Sequence, residues 1–452
     1  MKAHEWLGEE GLIGTRDRFG VRPFYYARID GGVVWSESLE TVLAHPEIDA
    51  LQLDEAAVAD YLTHGVCFDA ESTVYAHVRR LPPAHELRMR GGELSVERYW
   101  SIPTPAYSKD APARLEAALR ASIRDCLTAP SAVIFMSGGL DSTTLAALAR
   151  EVAPDVKLLA ATSVYRTRIP DVEEPFAVEA ARSLGIDIRL FPLDDYDPLQ
   201  ALEEGTWTAD PGALLSAPMS RDIHAAVAKH APVAMHGHPA DALLEPALTP
   251  YFRGLGFFKR LAALVRYTLL KRRPPYFFMR DLLGWPRHAG TAAALPNWLL
   301  ARPRTWRETT TLQSPAWTNY FEWAHPSVTH ASIELVYPWL DSRVVEAALA
   351  MRPVPWLVDK HVLRELLRGR ISETIRTRQK TFVPGDPWRV TLPLARPLKI
   401  EAAASYVDPP RFAQAMRAAP ALSNMTLRAV ALEYWLRELP SRLRALRGSN
   451  HA

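Results

Sequence analysis

A glycine-rich turn between an apolar strand and a helix constrains this chain more than any other segment. The apolar run from Ala132 to Met136 is short and rich enough in branched residues to predict a buried parallel strand. The turn Ser137-Gly138-Gly139-Leu140-Asp141-Ser142 follows it, and the Ala- and Leu-rich segment from Thr143 to Val152 predicts a helix. Backbone N–H groups and the positive end of a helix converge at such a turn, which favours phosphate binding.

The acidic residue in this turn narrows the chemistry. Asp141 would repel a phosphate directly, so its presence favours a Mg²⁺ ion that bridges the carboxylate to the phosphates. The Gly-Lys-Ser/Thr ending of a Walker A loop is absent. The turn instead resembles the SGGxDS pyrophosphate loop of the ATP pyrophosphatases, which cleave ATP to AMP and pyrophosphate. The alternative is an ordinary strand–turn–helix corner.

Composition sets broad limits on the class of protein. The chain has 452 residues, a length that predicts two or three domains. Its formal net charge of +2 favours neither a nucleic acid nor an acidic protein as a partner. Its two cysteines, Cys67 and Cys126, have neither metal-site nor disulfide-framework spacing. The start is polar and no run of about 18 apolar residues occurs, so we expect a cytoplasmic protein without a membrane span.

Residues 1–104 are predicted to form a β-rich domain. The segments Val33–Ser36 and Glu86–Met89 alternate apolar and polar positions, and Arg90-Gly91-Gly92-Glu93 predicts a hairpin turn. The run from Gly14 to Tyr26, with Arg16-Asp17 and Pro23-Phe24-Tyr25-Tyr26, resembles the RDxxGxxPLYY signature of glutamine-hydrolysing asparagine synthetases. This resemblance implies that the N-terminal region is the later half of a glutaminase domain of the Ntn type, truncated at its start. The resemblance to the synthetases as a whole extends from Gly14 to about Trp388.

One departure from that family concerns the hydrolysis of glutamine, which supplies the ammonia for amide formation. Its glutaminase nucleophile is a cysteine at the mature N-terminus, whereas position 2 here is Lys. Neither Cys67 nor Cys126 is at a terminus, so we expect glutamine hydrolysis to be lost. A mis-assigned start codon would give the same sequence pattern.

Residues 112–440 are predicted to form an α/β domain. The apolar segments Lys157–Ser163 and Ile188–Phe191 predict two more strands, and Asp171–Leu184 predicts a helix that ends at Gly185. Alternating strands and helices indicate a parallel sheet, with ligands at the carboxyl ends of its strands. The resemblance implies an ATP-pyrophosphatase (adenine nucleotide α-hydrolase-like) synthetase domain with a helical C-terminal part. It implies nucleotide-binding roles for Met136, Ser137, Gly138, Gly139, Asp141, Ser142, Ser163 and Gly237.

The segment from Val233 to Leu244 predicts a fourth strand, a loop and a helix. His236-Gly237-His238-Pro239-Ala240-Asp241 resembles the SGxGxDE loop of the synthetases, although His236 and Ala242 replace the usual Ser and Glu. The resemblance makes Asp241 the second Mg²⁺ carboxylate, with Asp141 as the first. His238 takes a position that is Glu in asparagine synthetases and Tyr in their β-lactam-forming relatives. A histidine there is suited to accept a proton from an incoming amine, the alternative being a histidine that caps the loop.

The later part of the domain supplies the remaining candidates. The segment from Glu334 to Asp341 resembles the VExRxPFLD block of the family, and counting back twelve residues from Glu334, as in that block, puts Glu322 at the position of the family's substrate-facing acid. Glutamate at this position resembles the β-lactam-forming branch, so we expect a Glu322–His238 dyad. Lys360 and Arg364 resemble the KxxLR motif, and we expect them on one helical face, against pyrophosphate. Lys380 resembles the lysine that steadies charge in both transition states. A surface cluster of basic residues is the alternative.

Residues 252–285 place basic residues between apolar ones. We expect an amphipathic helix with a solvated basic face, the alternative being a segment that binds a peptide or a membrane surface.

Together these features predict an ATP-dependent, AMP-forming amide ligase. The carboxylate would be adenylated and then attacked by an amine. The resemblance to lasso-peptide cyclases, whose glutaminase domain lacks its cysteine, favours macrolactam formation on a peptide. That interpretation implies ATP and Mg²⁺, a peptide or small carboxylate and amine substrate, and a leader peptidase and leader-recognition protein as partners. The alternatives are an ammonia-using asparagine synthase and an ATP-binding pseudoenzyme that regulates or binds a partner.

Overall fold

The computed structural model describes residues 4–7, 11–104, 106–196, 207–211, 217–246, 248–272, 295–301, 312–380, 399–418 and 424–449. Residues 273–285 of the basic segment and Trp388, at the end of the family resemblance, lie outside these ranges.

The N-terminal region is β-rich, as predicted. Its elements are β1 (His4–Leu7), β2 (Leu12–Thr15), β3 (Tyr25–Ile29), β4 (Gly32–Ser36), α1 (Leu39–Leu43), α2 (Glu55–His64), β5 (Arg79–Arg80), β6 (His85–Arg90) and β7 (Glu93–Arg98). They form two antiparallel sheets, one in the order β1–β4–β3–β5 and one in the order β2–β6–β7. The predicted hairpin joins β6 to β7 through Gly91 and Gly92, both at positive φ, where glycine avoids strain.

The second region alternates strands with helices. Its elements up to the fourth strand are α3 (Ala111–Cys126), β8 (Ser131–Phe135), α4 (Leu140–Val152), β9 (Lys157–Val164), α5 (Glu173–Leu184), β10 (Asp187–Pro192), α6 (Ala217–Ala228) and β11 (Val233–His236). The predicted helix that ends at Gly185 is confirmed, with this glycine in the left-handed conformation. Helix α4 begins at Leu140 rather than Thr143, so Asp141 lies in its first turn.

Further helices and one short strand complete the described chain. They are α7 (Ala240–Leu244), α8 (Leu248–Arg253), α9 (Phe257–Lys271), α10 (Pro315–Ala324), α11 (Pro326–Thr329), β12 (Glu334–Val336), α12 (Ser342–Leu349), α13 (His361–Leu366), α14 (Glu373–Thr377), α15 (Pro409–Ala418) and α16 (Asn424–Ser449). The three-residue strand β12 was not predicted, because it is too short to display a period-2 pattern.

Five parallel strands in the order β10–β9–β8–β11–β12 form the central sheet, which confirms the predicted α/β architecture. Strands β8 and β11 are neighbours, and Phe135 is in register with His236. The turns that follow these two strands therefore meet at one edge of the sheet. This adjacency positions the candidate site.

The N-terminal sheets are tied to the C-terminal helices by a shared core. Tyr61 and Tyr75 are buried with Phe412 of α15 and Trp435 of α16, and the rings of Tyr75 and Trp435 lie 5.7 Å apart edge to face. A second core, around Ile134 and α3, fills one face of the parallel sheet. Within the described ranges, no helix is both long and apolar enough to cross a membrane.

Candidate active site

The glycine turn after β8 is shaped by a close backbone approach. Gly138 has φ +70°, and a Cβ there would lie 2.5 Å from the backbone carbon of Phe176 in α5. Only glycine fits both the conformation and the contact. The turn is held from the other side by Arg378, which donates to the Ser137 carbonyl at 3.4 Å and to Glu173 at 2.6 Å.

The turn after β11 packs directly on the start of α4. A Cβ on Gly237 would lie 3.0 Å from the Ser142 backbone nitrogen, so glycine again allows the approach. The cavity between these segments brings together most of the predicted nucleotide-binding residues, including Ser163 at the end of β9. It is lined by Met136, Ser137, Gly139, Asp141, Ser142, Ser163, Gly237, His238 and Asp241, among others. The predicted convergence of Ser137, Ser163 and Gly237 is confirmed.

A single ammonium group joins the two candidate metal-binding carboxylates. Lys360 Nζ donates to Asp141 Oδ2 at 2.5 Å and also to Asp241 Oδ1. The Lys360 side chain is only 8% exposed. Because an unpaired charge would be costly at this depth, the lysine and the two aspartates stabilise one another.

Lys380 adds a second cation on the open side of this cluster. Its Nζ lies 3.1 Å from Asp241 Oδ2 and 3.0 Å from Glu245 Oε2. Lys360 Nζ is 3.8 Å from Glu245 Oε1, so Glu245 lies beside both lysines. Sequence reasoning missed Glu245, which follows the last residue of α7 and donates its backbone N–H to the Asp241 carbonyl. Its spacing of four residues from Asp241, about one helical turn, was the signal that could have found it.

Lys360 and Arg364 do not share a helical face, so that expectation is wrong. Lys360 has φ +52° and precedes α13, which begins at His361. The Arg364 guanidinium instead donates to the carbonyls of Asp359, Arg376 and Arg378, at 3.0, 2.6 and 2.8 Å. Arg364 thus fastens the segment before Lys380, and the left-handed turn at Lys360 aims its side chain at the aspartates.

Asp141 has an unused acceptor that suits a cation. Its Oδ1 is buried and has no hydrogen-bond partner among the described residues. Burial raises the pKa of Asp141 to about 6, against the opposing effect of Lys360. Partial burial opposes ionisation of Asp241, but the hydrogen bonds from Lys360 and Lys380 lower its pKa. Within the described residues, no three or more His, Cys, Asp or Glu side chains converge as a metal site, so an ion at this pair would need further oxygens from a ligand.

His238 faces an aromatic wall. Its ring lies 5.0 Å from that of Tyr320 and 6.0 Å from that of Trp317, both on α10. Burial lowers the pKa of His238. His236 lies deeper, stacked on Phe135 at 4.2 Å, and burial lowers its pKa strongly. Both imidazoles are therefore neutral near pH 7.

Glu322 does not pair with His238, so the predicted dyad is wrong. Its carboxylate accepts hydrogen bonds from two buried arginines of the N-terminal region, Arg16 and Arg80, each at 3.2 Å. Asn319, one turn earlier on α10, also accepts from Arg80, at 2.7 Å. Two guanidinium groups satisfy the carboxylate within the interface between the regions, where His238 does not reach it.

The match to known protein families covers most of the chain. Residues 114–437 match the family described as asparagine synthase, and residues 7–100 match a glutamine amidotransferase domain. The chain belongs to the asparagine synthase family. The site at the ends of β8 and β11 lies within the part of the chain that carries this match.

Curated members of the asparagine synthase family are distant relatives of this chain. Asparagine synthetase [glutamine-hydrolyzing] 1 of Bacillus subtilis is 26% identical over 243 residues, which cover 51% of this chain and 37% of the relative. Asparagine synthetase [glutamine-hydrolyzing] 3 of the same organism is 26% identical over 142 residues, covering 30% and 23%. The chain thus spans 37% of the length of the first of these relatives and 23% of the length of the second. The likeness to a solved structure, NMN synthetase from Francisella tularensis, has 17% identity and a TM-score of 0.24 over 29% of this chain and 57% of that one, and is too weak to argue from.

Neither cysteine of this asparagine synthase family member is set up as a nucleophile. Cys67 is fully buried beside the Ala57 carbonyl, at 3.7 Å. Burial raises the pKa of Cys126 to about 11, helped by Asp341 and Asp125. A thiol of that pKa is almost entirely protonated at neutral pH and is a poor nucleophile.

Proposed function

We propose that this chain is an ATP-dependent, AMP-forming carbon–nitrogen ligase. The observation that carries the proposal is the meeting of Asp141, Asp241, Lys360 and Lys380 beside the glycine turn. Two carboxylates with two cations are suited to a polyphosphate and its metal ion, whereas an ATP-binding pseudoenzyme would not need this complete set.

The proposed ligands of the nucleotide come from the two turns. Backbone N–H groups of the turn from Ser137 to Gly139 and the N-terminus of α4 would face the phosphates. Asp141 and Asp241 would hold Mg²⁺, and the Oδ1 of Asp141, to which no described residue donates a hydrogen bond, supports that assignment. When bound, Mg²⁺ would supply positive charge that offsets the negative charge of the phosphates.

In the first step, a substrate carboxylate oxygen attacks the α-phosphorus of ATP. The bond between the α-phosphorus and the bridging oxygen breaks, giving an acyl-adenylate and pyrophosphate. Lys360 and Lys380 lie where they can balance the charge that develops on the departing pyrophosphate. Lys360, held between Asp141 and Asp241 beside the glycine turn, would be within reach of the phosphates.

In the second step, an amine attacks the acyl carbon and AMP leaves with the bonding electrons. The amine must lose a proton, and we assign its acceptance to His238. The imidazole is suited to this because burial favours its neutral form. Lys380, beside Asp241, would stabilise the negative charge on the tetrahedral intermediate and on the departing AMP.

We further propose that the substrate is a lasso-type ribosomal peptide, which the enzyme closes into a macrolactam in the cytoplasm. Trp317 and Tyr320 give the acceptor side of the site an aromatic wall around His238, which suits peptide side chains better than a free amino acid. Glu322, which would be the substrate-facing acid, is neutralised by Arg16 and Arg80. A leader peptidase and a leader-recognition protein are the partners that this proposal implies. Asparagine synthesis from ammonia is the second candidate, favoured by the names of the curated relatives.

Exchange of radiolabelled pyrophosphate into ATP tests the first step. We expect exchange that requires Mg²⁺ and the carboxylate substrate, and we expect Asp141→Asn to abolish it. Asp155→Asn, in an exposed turn after α4, is the matched control and should exchange like the wild type. Full exchange by the Asp141 variant would refute the assignment of the pyrophosphate loop.

Mass spectrometry of the products separates the two candidate substrates. With ATP and the core peptide already freed of its leader, the macrolactam proposal predicts a product that has lost one water and resists carboxypeptidase. With ATP, aspartate and ammonia, the alternative predicts asparagine. Asparagine formation without any dehydrated peptide would overturn the cyclase proposal and leave the ligase proposal standing.

A further inference from the structure

Helix α9 (Phe257–Lys271) has two apolar faces that point in different directions. On the inner face, Tyr267 is buried with Phe252, Val354 and Val358, while Ala263 and Leu264 pack against the same cluster. This face accounts for the docking of the helix on the rest of the protein. Within the described part of the chain, the side chains of the other apolar face belong to no buried cluster.

The outer face exposes bulky apolar side chains. Phe257, Phe258 and Leu269 are 74%, 82% and 75% exposed. Leu261 and Val265 are more than half exposed and continue the stripe, since positions four residues apart lie on one helical face. From Phe257 to Leu269 the stripe extends over roughly 18 Å of helix. Such a concentration of exposed apolar side chains marks an interaction surface.

Positive charge flanks this stripe, and negative charge is absent from the helix. The basic residues of α9 are Lys259, Arg260, Arg266 and Lys271, and its sequence has no Asp or Glu. Lys271 is paired with Asp359, and Arg260 donates to the Arg253 and Leu255 carbonyls. Lys259 and Arg266 are exposed, and no described residue forms an ion pair with either. They are available to an anionic partner.

We propose that the outer face of α9 docks on the surface of a membrane that contains anionic lipids. Phenylalanine and leucine on one face, with lysine and arginine beside them, are the features of a helix that lies in the plane of the membrane interface. The sequence predicted that this helix would expose a basic face to solvent, whereas the structure exposes an apolar face as well. The apolar stripe would enter the headgroup boundary, and Lys259 and Arg266 would contact lipid phosphates.

The exposure of these side chains favours a lipid surface over a peptide. Phenylalanines that are 74% and 82% exposed protrude from the protein, whereas peptide-binding helices line a groove with partly covered side chains. A lipid interface accepts a protruding helix without a complementary shape. The basic flanks specify the charge of that interface, because each lysine or arginine near an anionic membrane strengthens binding.

The site would be held close to the membrane. Asp359, which pairs with Lys271 of α9, lines the same cavity as Lys360 and Asp141. If α9 docked on a membrane, this helix would lie between the cavity and the lipid headgroups. The docking proposal does not depend on the proposed ligase activity.

Vesicle flotation with the full chain tests the proposal. We expect binding to vesicles of phosphatidylcholine and phosphatidylglycerol in equal amounts, little binding to phosphatidylcholine alone, and release at high salt. Phe257→Ser with Phe258→Ser should abolish flotation. Lys259→Glu with Arg266→Glu should weaken it by at least about fivefold for each residue.

The control removes exposed apolar side chains elsewhere. Ile13→Ser with Leu51→Ser changes residues that are 62% and 57% exposed in the N-terminal region and should float like the wild type. Circular dichroism checks that each variant is folded. Undiminished flotation of the phenylalanine variant would overturn the proposal. The proposal would also be overturned if the wild-type chain did not bind vesicles but formed dimers, and the phenylalanine variant were monomeric. The outer face of α9 would then bind a second copy of the chain.

Discussion

Arg80 donates to the carboxylate of Glu322 at 3.2 Å, across 242 positions of the sequence, and both side chains are almost fully excluded from solvent. Arg16 donates to the other oxygen of the same carboxylate. The N-terminal region therefore holds α10 through a buried charge cluster. Because α10 also carries Trp317 and Tyr320, the cluster fixes the wall that His238 faces.

Loss of the Glu322 charge should destabilise the protein. Glu322→Gln would leave two buried guanidinium groups without a counter-charge, and breaking a buried ion pair costs about 3–5 kcal/mol. Chemical denaturation should show a clearly lower midpoint. Glu179→Gln, which removes a surface pair with Arg182, should cost less than about 1 kcal/mol. Equal midpoints for the two variants would mean that the cluster does not hold the two regions together.

The positions of the catalytic candidates could be predicted from the sequence, but their partners could not. Asp141 and Asp241 follow apolar strands, so the rule that ligands gather at strand ends placed them together. Glu322 was recognised by its distance from a later motif, yet its partners Arg16 and Arg80 lie in another region. No local periodicity marks an arginine that will be buried against a distant helix.

Backbone conformation explains the error at Lys360. A spacing of four residues predicts a shared face only where both residues are helical. Lys360 is left-handed, and the preceding Asp359 also has a positive φ. Non-glycine residues adopt this conformation rarely, and the surrounding contacts decide it. Because of this left-handed conformation, the Lys360 side chain reaches the aspartates, whereas the Arg364 side chain binds backbone carbonyls.

Gly138→Ala and Gly31→Ala should separate backbone strain from steric conflict. Both glycines have φ close to +70°, but only Gly138 is crowded, because nothing lies within 4 Å of a Cβ on Gly31. Gly31→Ala should cost about 1 kcal/mol of stability and leave pyrophosphate exchange intact. Gly138→Ala must also displace the turn from α5, and we expect a loss of exchange of about 10²-fold. Similar exchange rates for the two variants would show that the approach of the turn to Phe176 is unimportant.

Lys380→Met should slow both chemical steps. Its ammonium shares Asp241 and Glu245 with Lys360, and removal of one stabilising donor typically costs about 10²–10³-fold in rate. Pyrophosphate exchange and single-turnover amide formation should both fall by that order. Lys229→Met, at an exposed position just after α6, is the control and should change neither rate. If only one of the two steps slows, Lys380 does not serve both transition states.

His238→Ala should separate the two steps, since His238 is proposed to act only on the amine. We expect pyrophosphate exchange to persist while amide formation slows by about 10²–10⁴-fold, the usual cost of removing a general base. Added imidazole should restore part of the rate. His77→Ala, on an exposed histidine that contacts Gln52, is the control and should leave both rates unchanged.

The pH dependence of amide formation gives an independent check on His238. Burial lowers the pKa of this imidazole, so the ring stays neutral and able to accept a proton at pH values where an ordinary histidine is partly protonated. The wild-type rate should therefore show the limb of His238 only below about pH 6.5, apart from the limb of the substrate amine, whose α-amino group titrates near about pH 8. In His238→Ala this acid limb should disappear from the amide-forming step. If the variant keeps the same limb, or loses exchange in proportion to amide formation, His238 belongs to nucleotide binding and another group accepts the proton.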